Sequence, residues 1–398
     1  MTDAILFAGG GTGGHVFPMI AVADAVVAIA PAVRIVFVGT SRGIENKVVP
    51  ERGYELELVD ARPIRGGGVA GALKGVMHAA RSIPDARSFV RRLAPRAVFS
   101  IGGYAAGSVC VAARTLRIPL ALMEPNSAIG LANRLVAPMV QRAYTAFPES
   151  EQHFSRTVVR RTGVPIRTGF LPRPFEPGSR FRILVLGGSQ GAESLNDTVP
   201  RAVSRLAGPI EVVHQSGAGR DGAVRSLYGE LGLTARATVE PFIDDMPSAL
   251  ANAELVIGRA GASAVAEICA VGRPSLLIPY PFAGDHQRFN AESLVRAGAS
   301  ICILSQDATI DRLATEISAL VDDRMRLVAM ADQARLLGKP DAARVIAEDL
   351  LELAGIDGPS RSGSTNGSNG RGSTAGDRRA VARGAEGPVA IRRERGSR

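Results

Sequence analysis

The 398-residue sequence contains no tryptophan, and aromatic residues make up only 5% of it. Hydrophobic residues reach 46%, so any core must be built from aliphatic side chains. The three cysteines, Cys110, Cys269 and Cys302, stand far apart in apolar runs. That spacing offers neither a disulfide framework nor a zinc site, and it fits reduced core thiols in a cytoplasmic protein. No run approaches the roughly 18 apolar residues of a membrane-spanning helix. The first residues lead directly into an apolar strand without a charged n-region, so no signal peptide is expected. The chain also lacks any Asp-x-Asp triplet, the usual clamp between a divalent ion and a diphosphate.

The formal charge of +9 is unevenly distributed. From Asp357 to Arg398 nine arginines face two aspartates and two glutamates, which puts +5 in the tail and +4 in the body. This Gly/Ser/Arg-rich stretch is too poor in large apolar residues to offset the entropy of ordering, and it reads as a disordered, solubilising extension. The charge alone would suggest a nucleic-acid partner, but most of the excess lies outside the folded part, so none is expected.

Short apolar runs alternate with Ala-rich amphipathic segments along the body, the pattern of an α/β protein with parallel sheets. Strands are expected at 4–10, 34–40, 55–60, 97–102, 120–124 and 143–147, with helices at 16–30, 105–116 and 128–138. The Pro- and Gly-rich stretch around 165–180 has linker composition. The pattern then restarts with an apolar strand, a Gly-rich turn and an amphipathic helix over 182–203, followed by strands at 210–216, 237–242, 255–258, 274–280 and 300–305. Helices fit at 246–252, 261–271, 286–297 and 310–320, and residues 325–354 look helical. The expected organisation is a first doubly wound domain over 1–165, a linker over 166–180 and a second doubly wound domain over 181–340. A helix over 341–356 would cross back to the first domain, and the tail covers 357–398. The two domains would face each other across a cleft lined by the loops at the carboxyl ends of their strands.

Three of those loops are glycine-rich: "GGGTGGHVFP" from Gly9, "SIGGYAAGS" from Ser100 and "LGGSQGAESLND" from Leu186. Each joins a strand to a helix, so each offers a helix N-terminus with free backbone N–H groups to an anionic ligand. The first nearly fits the nicotinamide fingerprint through Gly9, Gly11 and Gly14. That reading requires an acid at the tip of the second strand to hold a ribose. The second strand ends in "FVGTSRG" instead, leaving only an NADP-type variant through Arg42.

The stretch "GRAGASAVAEICAVGRPSLLIPYPFAGDHQRFNA" (258–291) is more specific. It carries Glu267 on a helix and Asp285, His286, Gln287 and Asn290 just beyond a strand end. A carboxylate facing a cleft can accept both hydroxyls of a ribose, and amides beyond a strand end can hold sugar hydroxyls. With a pyrophosphate at a neighbouring helix N-terminus, this is the layout of a nucleotide-sugar site.

Together with these blocks, "GGTGGHVFP", "GGYAAG", "MEPNSAIGLANR", "PIRTGF", "LGGSQGAESLN", "EPFIDDM", "RAGASAVAE" and "DHQRFNA" follow one another over residues 4–352. In this order they resemble the MurG family, inverting transferases that move N-acetylglucosamine from UDP-N-acetylglucosamine to lipid I in peptidoglycan synthesis. The resemblance implies the GT-B fold, two Rossmann-like domains with the donor held mainly by the second. It implies that Glu267 binds the uridine ribose, Ser189 and Gln190 the diphosphate, Arg167 the donor phosphates and the Ile243 backbone the uracil edge. Gln287 and Asn126 would hold the sugar, with Thr12, Gly13 and Gly14 also at the donor. The acceptor pyrophosphate would meet the first two glycine loops, at Gly11, His15, Gly102, Gly103 and Tyr104. The chain departs from the family pattern at Met123, Pro125, Val164 and Arg288.

Transfer with inversion needs a base near the acceptor hydroxyl. His15 titrates near neutrality and sits at a loop–helix junction, which makes it a candidate base. A helix-capping or acceptor-phosphate contact is the alternative role for His15, and Glu124 is the second candidate base. Without an Asp-x-Asp clamp, helix N-termini and Arg167 would neutralise the leaving diphosphate, so no metal or other cofactor is expected. The basic, apolar-interleaved segment 62–96 would dock the enzyme on an anionic membrane surface, peripherally at the cytoplasmic face. A nucleotide-sugar epimerase or hydrolase on the same scaffold is the competing reading.

Overall fold

The computed structural model describes residues 3–40, 43–59, 81–103, 106–154, 157–188, 190–281 and 285–357. Arg42, Tyr104, Ser189, most of the basic segment and nearly all of the tail lie outside the described residues.

Two parallel sheets form the body. In the first, β1 (Ala4–Ala8) lies between β2 (Arg34–Gly39) and β4 (Ala97–Ser100). Beyond them come β3 (Glu55–Leu58) on one side, and β5 (Leu120–Glu124), β6 (Arg142–Thr145) and β7 (Val158–Arg161) on the other. The "AILFA" of β1 is buried at every position, as befits a strand covered on both faces. Its register sets Phe7 opposite Phe37 and Phe99, with ring centroids 5.2 and 5.4 Å apart.

The second sheet is ordered β10 (Ala237–Glu240), β9 (Ile210–Gln215), β8 (Phe181–Leu186), β11 (Leu255–Gly258), β12 (Ser275–Leu277) and β13 (Ser300–Cys302). Strand order reverses between β1 and β4 in one sheet and between β8 and β11 in the other. Ligand crevices of open α/β sheets form at such switch points, beyond the carboxyl ends of the strands. All three glycine-rich turns, and the "RAGA" turn after β11, leave from these four strands. The fold thus gathers motifs scattered over 250 residues onto two facing edges.

Helix α1 (Gly13–Ile29) is apolar almost all round because it lies between the first sheet and a helix from the far end of the chain, Ala342–Ala354. Ile346, Ala347, Leu350, Leu351 and Ala354 of that helix enter the core around Ile5, Phe7 and Val22. Its buried Asp349 accepts a 2.8 Å hydrogen bond from the Tyr144 hydroxyl and pairs with Arg160 at 2.6 Å and with Arg142. Residues 325–354 form two helices, Arg324–Leu337 and Ala342–Ala354, the second lying where a helix over 341–356 was expected. They are separated where Gly338 and Pro340 interrupt the backbone pattern. Among the described residues, β7, α2 (Glu45–Glu51), Ile83–Leu93, the short 3-10 helix Pro148–His153 and Asp221–Glu230 had no expected counterpart. The three cysteines are free, Cys110 and Cys269 being buried.

Candidate active site

Among the described residues, four helices open on the two facing edges without a side-chain cap: α1, Glu193–Val203, Ala262–Val271 and His286–Arg296. The helices at Ile310 and Arg324, by contrast, are capped by Thr309 and Asp323. Uncapped first-turn amides with the helix dipole behind them are sites for anions. The third glycine turn is packed tightly enough that a Cβ on Gly191, at φ +73°, would collide with the Ser216 carbonyl. Exposed Gln190 stands at the tip of this turn.

One basic side chain that sequence reasoning passed over reinforces that end. Arg259, just after β11, donates to the carbonyl of Ile278 at 2.9 Å, Ser305 Oγ at 3.0 Å and Ser194 Oγ at 2.8 Å. Ser194 belongs to the first turn of Glu193–Val203, so a guanidinium and a helix N-terminus converge there. No carboxylate pairs with Arg259 among the described residues. Two positive sources held together without a counter-charge call for an anionic ligand. The "GRAG" context at a strand tip was the signal available in the sequence.

Glu267 lies on the helix Ala262–Val271 with 17% of its side chain exposed, 3.6 Å from Arg167. Burial pushes its carboxyl up to about 7, against the opposing pull of Arg167. Arg167 also lies over the Phe170 ring at 5.6 Å, which fixes its direction. Ile243 has its side chain anchored in the core with Leu186 and Phe170, so the backbone around it is held firmly. Gln287 Oε1 accepts from the Ala260 N–H at 3.2 Å and the Tyr280 N–H at 3.0 Å. Its amide is thereby oriented with Nε2 left as the donor to offer.

Across the cleft, Glu124 at the tip of β5 is 1% exposed and accepts four hydrogen bonds. Asn126 donates from its backbone N–H at 3.0 Å and from Nδ2 at 3.2 Å; Gly130 N–H donates at 3.1 Å and Asn133 Nδ2 at 2.8 Å. Burial raises its carboxyl and these donors oppose that shift. Asn126 and Ser127 then meet Asn290 of the opposite half, where Asn290 Oδ1 accepts from Ser127 N–H at 2.9 Å. Gly102, at φ +91°, lies against the Asn133 side chain, and Gly103 approaches the carbonyl of Gly10, bringing the first two glycine loops together.

His15 is half-buried in the first turn of α1, with Nδ1 3.3 Å from the Gly10 carbonyl oxygen. Burial pulls its imidazolium below the ordinary range, and His286 opposite acts in the same direction; the Gly10 carbonyl and Glu45 oppose them. Thr12 caps nothing with its side chain, so the Gly13 and Gly14 end of the helix stays open. Of the departures from the family pattern, Met123 and Val164 are buried in the core. Arg288 turns along its own helix toward Glu292 at 3.4 Å, over the Phe289 ring.

Further residues on the first half had no expected role. Leu131 and Leu135, one turn apart, are more than half exposed on the short helix Leu131–Val136. That helix also carries Asn133, which touches Gly102 and Glu124. The two leucines were visible in "GLANRLVAPM", but their exposure depends on the fold.

Residues 5–145 match the glycosyltransferase family 28 N-terminal domain, and residues 182–346 match the glycosyltransferase family 28 C-terminal domain. A UDP-N-acetylglucosamine–N-acetylmuramyl-(pentapeptide) pyrophosphoryl-undecaprenol N-acetylglucosamine transferase of Sorangium cellulosum is 55% identical over 357 residues, with 88% of each chain covered. The protein of the same name from Anaeromyxobacter dehalogenans is 44% identical, covering 88% of this chain and 92% of its own. The crystal structure of MurG from Acinetobacter baumannii superposes with a TM-score of 0.76 at 29% identity, covering 88% of this chain and 99% of that one. A UDP-GlcNAc 2-epimerase from Neisseria meningitidis matches at a TM-score of 0.61 and 14% identity, a likeness of fold alone. The chain belongs to the family of UDP-N-acetylglucosamine–N-acetylmuramyl-(pentapeptide) pyrophosphoryl-undecaprenol N-acetylglucosamine transferases, assembled from the two domains of glycosyltransferase family 28.

Proposed function

We infer that this chain transfers N-acetylglucosamine from UDP-N-acetylglucosamine to the C4 hydroxyl of the N-acetylmuramyl residue of lipid I, forming lipid II. The observation that carries this reading is a buried ribose-type carboxylate, Glu267, set on the same edge as the uncapped helix N-terminus beside Arg259. Glu267 accepts the ribose hydroxyls, and Ile243 presents its backbone to the base. The diphosphate lies against the third glycine turn at Ser189 and Gln190, near Arg259 and Arg167. Gln287 Nε2 donates to the sugar, and Asn126 reaches it from the other half. Thr12, Gly13, Gly14, Gly11, Gly102, Gly103 and Tyr104 belong to the loops that face the donor and the acceptor pyrophosphate.

In the step itself the acceptor C4 oxygen attacks the anomeric carbon from the face opposite UDP. The bond from that carbon to the β-phosphate oxygen breaks, its electron pair leaving with UDP, and the hydroxyl proton passes to His15 Nε2. Backbone amides at helix N-termini and the guanidinium groups stabilise the departing charge, which is the service a divalent ion would otherwise supply. Glu124 is not the base in this reading. Its four hydrogen bonds among the described residues all come from donors, so a proton arriving there would displace one of them. Its role is to hold the 124–133 loop that carries Asn126.

The acceptor's polyprenyl tail requires a peripheral station at a membrane, and no described helix is long and apolar enough to cross one. Two features of the first half support docking. Helix Ile83–Leu93 turns Ala86 and Val90 inward and leaves Arg91 and Arg92 exposed. Leu131 and Leu135 lie exposed next to the acceptor loop. Such a mixture of cations and apolar side chains suits an anionic interface at the cytoplasmic face.

UDP release measured with and without a short-chain lipid I analogue tests the reading. Release that depends on the analogue is expected; equal release without acceptor would make the chain a hydrolase. Binding to anionic vesicles tests the docking, and it should fall when Arg81, Arg87, Arg91 and Arg92 are replaced by Glu.

A further inference from the structure

We propose that Glu45 is a positioning residue for His15 and acts on it through the single peptide group that joins Gly10 to Gly11. Glu45 Oε2 accepts a 2.8 Å hydrogen bond from the Gly11 N–H, and the carbonyl of that same peptide, the Gly10 oxygen, lies 3.3 Å from His15 Nδ1. A carboxylate bonded to the N–H end of an amide increases the negative charge at its carbonyl end, since chains of hydrogen bonds polarise one another. The Gly10 oxygen becomes a better acceptor for an Nδ1–H, and a proton held on Nδ1 leaves Nε2 as the basic nitrogen. The arrangement is a carboxylate and an imidazole coupled across one peptide unit.

The surroundings of Glu45 are built for this contact. The side chain is 1% exposed, and no cation pairs with it among the described residues. Its other oxygen, Oε1, accepts from the Thr40 N–H at 2.9 Å and the Thr40 hydroxyl at 3.2 Å. Two backbone amides and one hydroxyl therefore hold the buried carboxylate, with no salt bridge to it among the described residues. A Cβ on Gly10, Gly39 or Gly43 would collide with the Glu45 side chain, so a glycine in the first loop, one at the end of β2 and one before α2 leave room for it. Gly10 has the further requirement of φ +146°. Two charged or titratable groups act on the imidazole from outside its own helix: Glu45 on α2, which favours its protonated form, and His286 on the facing half, which opposes it.

This inference rests on His15 being the base, and the two ideas fail in different measurements. Nitrogen-15 NMR of the histidine-labelled full-length chain, with the His15 signal assigned through His15→Gln, reads the tautomer directly. The wild type is expected to show His15 protonated at Nδ1 when neutral; a proton on Nε2 instead would overturn the proposal without any variant. In Glu45→Gln the Nδ1 preference should weaken, the His15 titration should move to lower pH, and kcat should fall about 10–100-fold, in the range usual for outer-shell partners. The KM for UDP-N-acetylglucosamine should stay near the wild-type value. Glu45→Asp, which keeps the charge, should recover part of the shift. If Glu45→Gln folds and leaves the His15 tautomer and titration unchanged, Glu45 only braces the loop. Should His15→Gln keep wild-type kcat, His15 is not the base, whatever the tautomer.

Discussion

Asn290 on the second half donates from Nδ2 to Asn126 Oδ1 on the first half at 3.2 Å, while its Oδ1 accepts from Ser127 N–H and its Nδ2 also reaches the Ala260 carbonyl. A side chain with no exposure thus ties the loop after β5 in one half to the glycine turn after β11 in the other. Replacing Asn290 with Ala strands buried partners on both sides. Each unsatisfied group costs about 1–3 kcal/mol. Asn290→Ala should therefore lower Tm and reduce kcat by more than tenfold; calorimetry with steady-state kinetics checks both.

The division of labour between His15 and Glu124 can be separated by pH. Glu124→Gln presents an amide NH2 to a ring of donors and should lower stability and kcat together. The acid limb of the kcat/KM profile should stay where it is. His15→Gln should abolish that limb. If His15→Gln kept most of kcat while Glu124→Gln abolished it, the roles would be reversed.

Glu267 predicts a pH dependence of donor binding. Its carboxyl titrates near 7 in the folded protein, well above the ordinary carboxylate range, chiefly because it is buried. Only the ionised form can accept both ribose hydroxyls, so the KM for UDP-N-acetylglucosamine should rise as pH falls below about 7. Folding stability has the opposite sign. The folded chain holds this proton at pH values where the unfolded chain has released it, so the contribution is full below the ordinary range and is lost as pH rises through 7. Glu267→Gln should raise Tm at pH 8, have little effect on it at pH 5, and flatten the dependence of the donor KM on pH.

Gln287 distinguishes holding the fold from holding the sugar. Glu at this position keeps the acceptor oxygen for Ala260 and Tyr280 and loses the Nε2 donor. Gln287→Glu should leave Tm nearly unchanged and raise the donor KM at least tenfold, whereas Gln287→Ala should lower Tm as well. Equal Tm loss in both variants would argue against the assigned orientation of the amide.

Charge stabilisation by helix N-termini and guanidinium groups predicts that chelation leaves transfer intact. Complete loss in EDTA, restored only by Mg²⁺ or Mn²⁺, would contradict it.

The sheets and their glycine turns were readable in the sequence because their causes are local. An apolar run such as "AILFA" followed by glycines and an amphipathic stretch has few other solutions. The edge strand "VVRR" at 158–161 was not readable, because two arginines break the apolar run and only pairing with β6 makes it a strand. Glu267 and Gln287 were readable as parts of a motif. Glu45 was not, since its significance lies in a contact with Gly11, 34 residues away, and in glycines that look like ordinary turn residues. Arg259 was hidden for a similar reason: only the fold brings it to Ser194, 65 residues distant, and leaves it without a carboxylate partner among the described residues.

The most direct test supplies UDP-N-acetylglucosamine labelled in the sugar together with a short-chain lipid I analogue, and determines the anomeric configuration of the product by NMR. Label on the analogue in a β-1,4 linkage, with none released in the absence of acceptor, is the predicted result. An α-linked product, or a donor converted or hydrolysed without acceptor, would contradict the account.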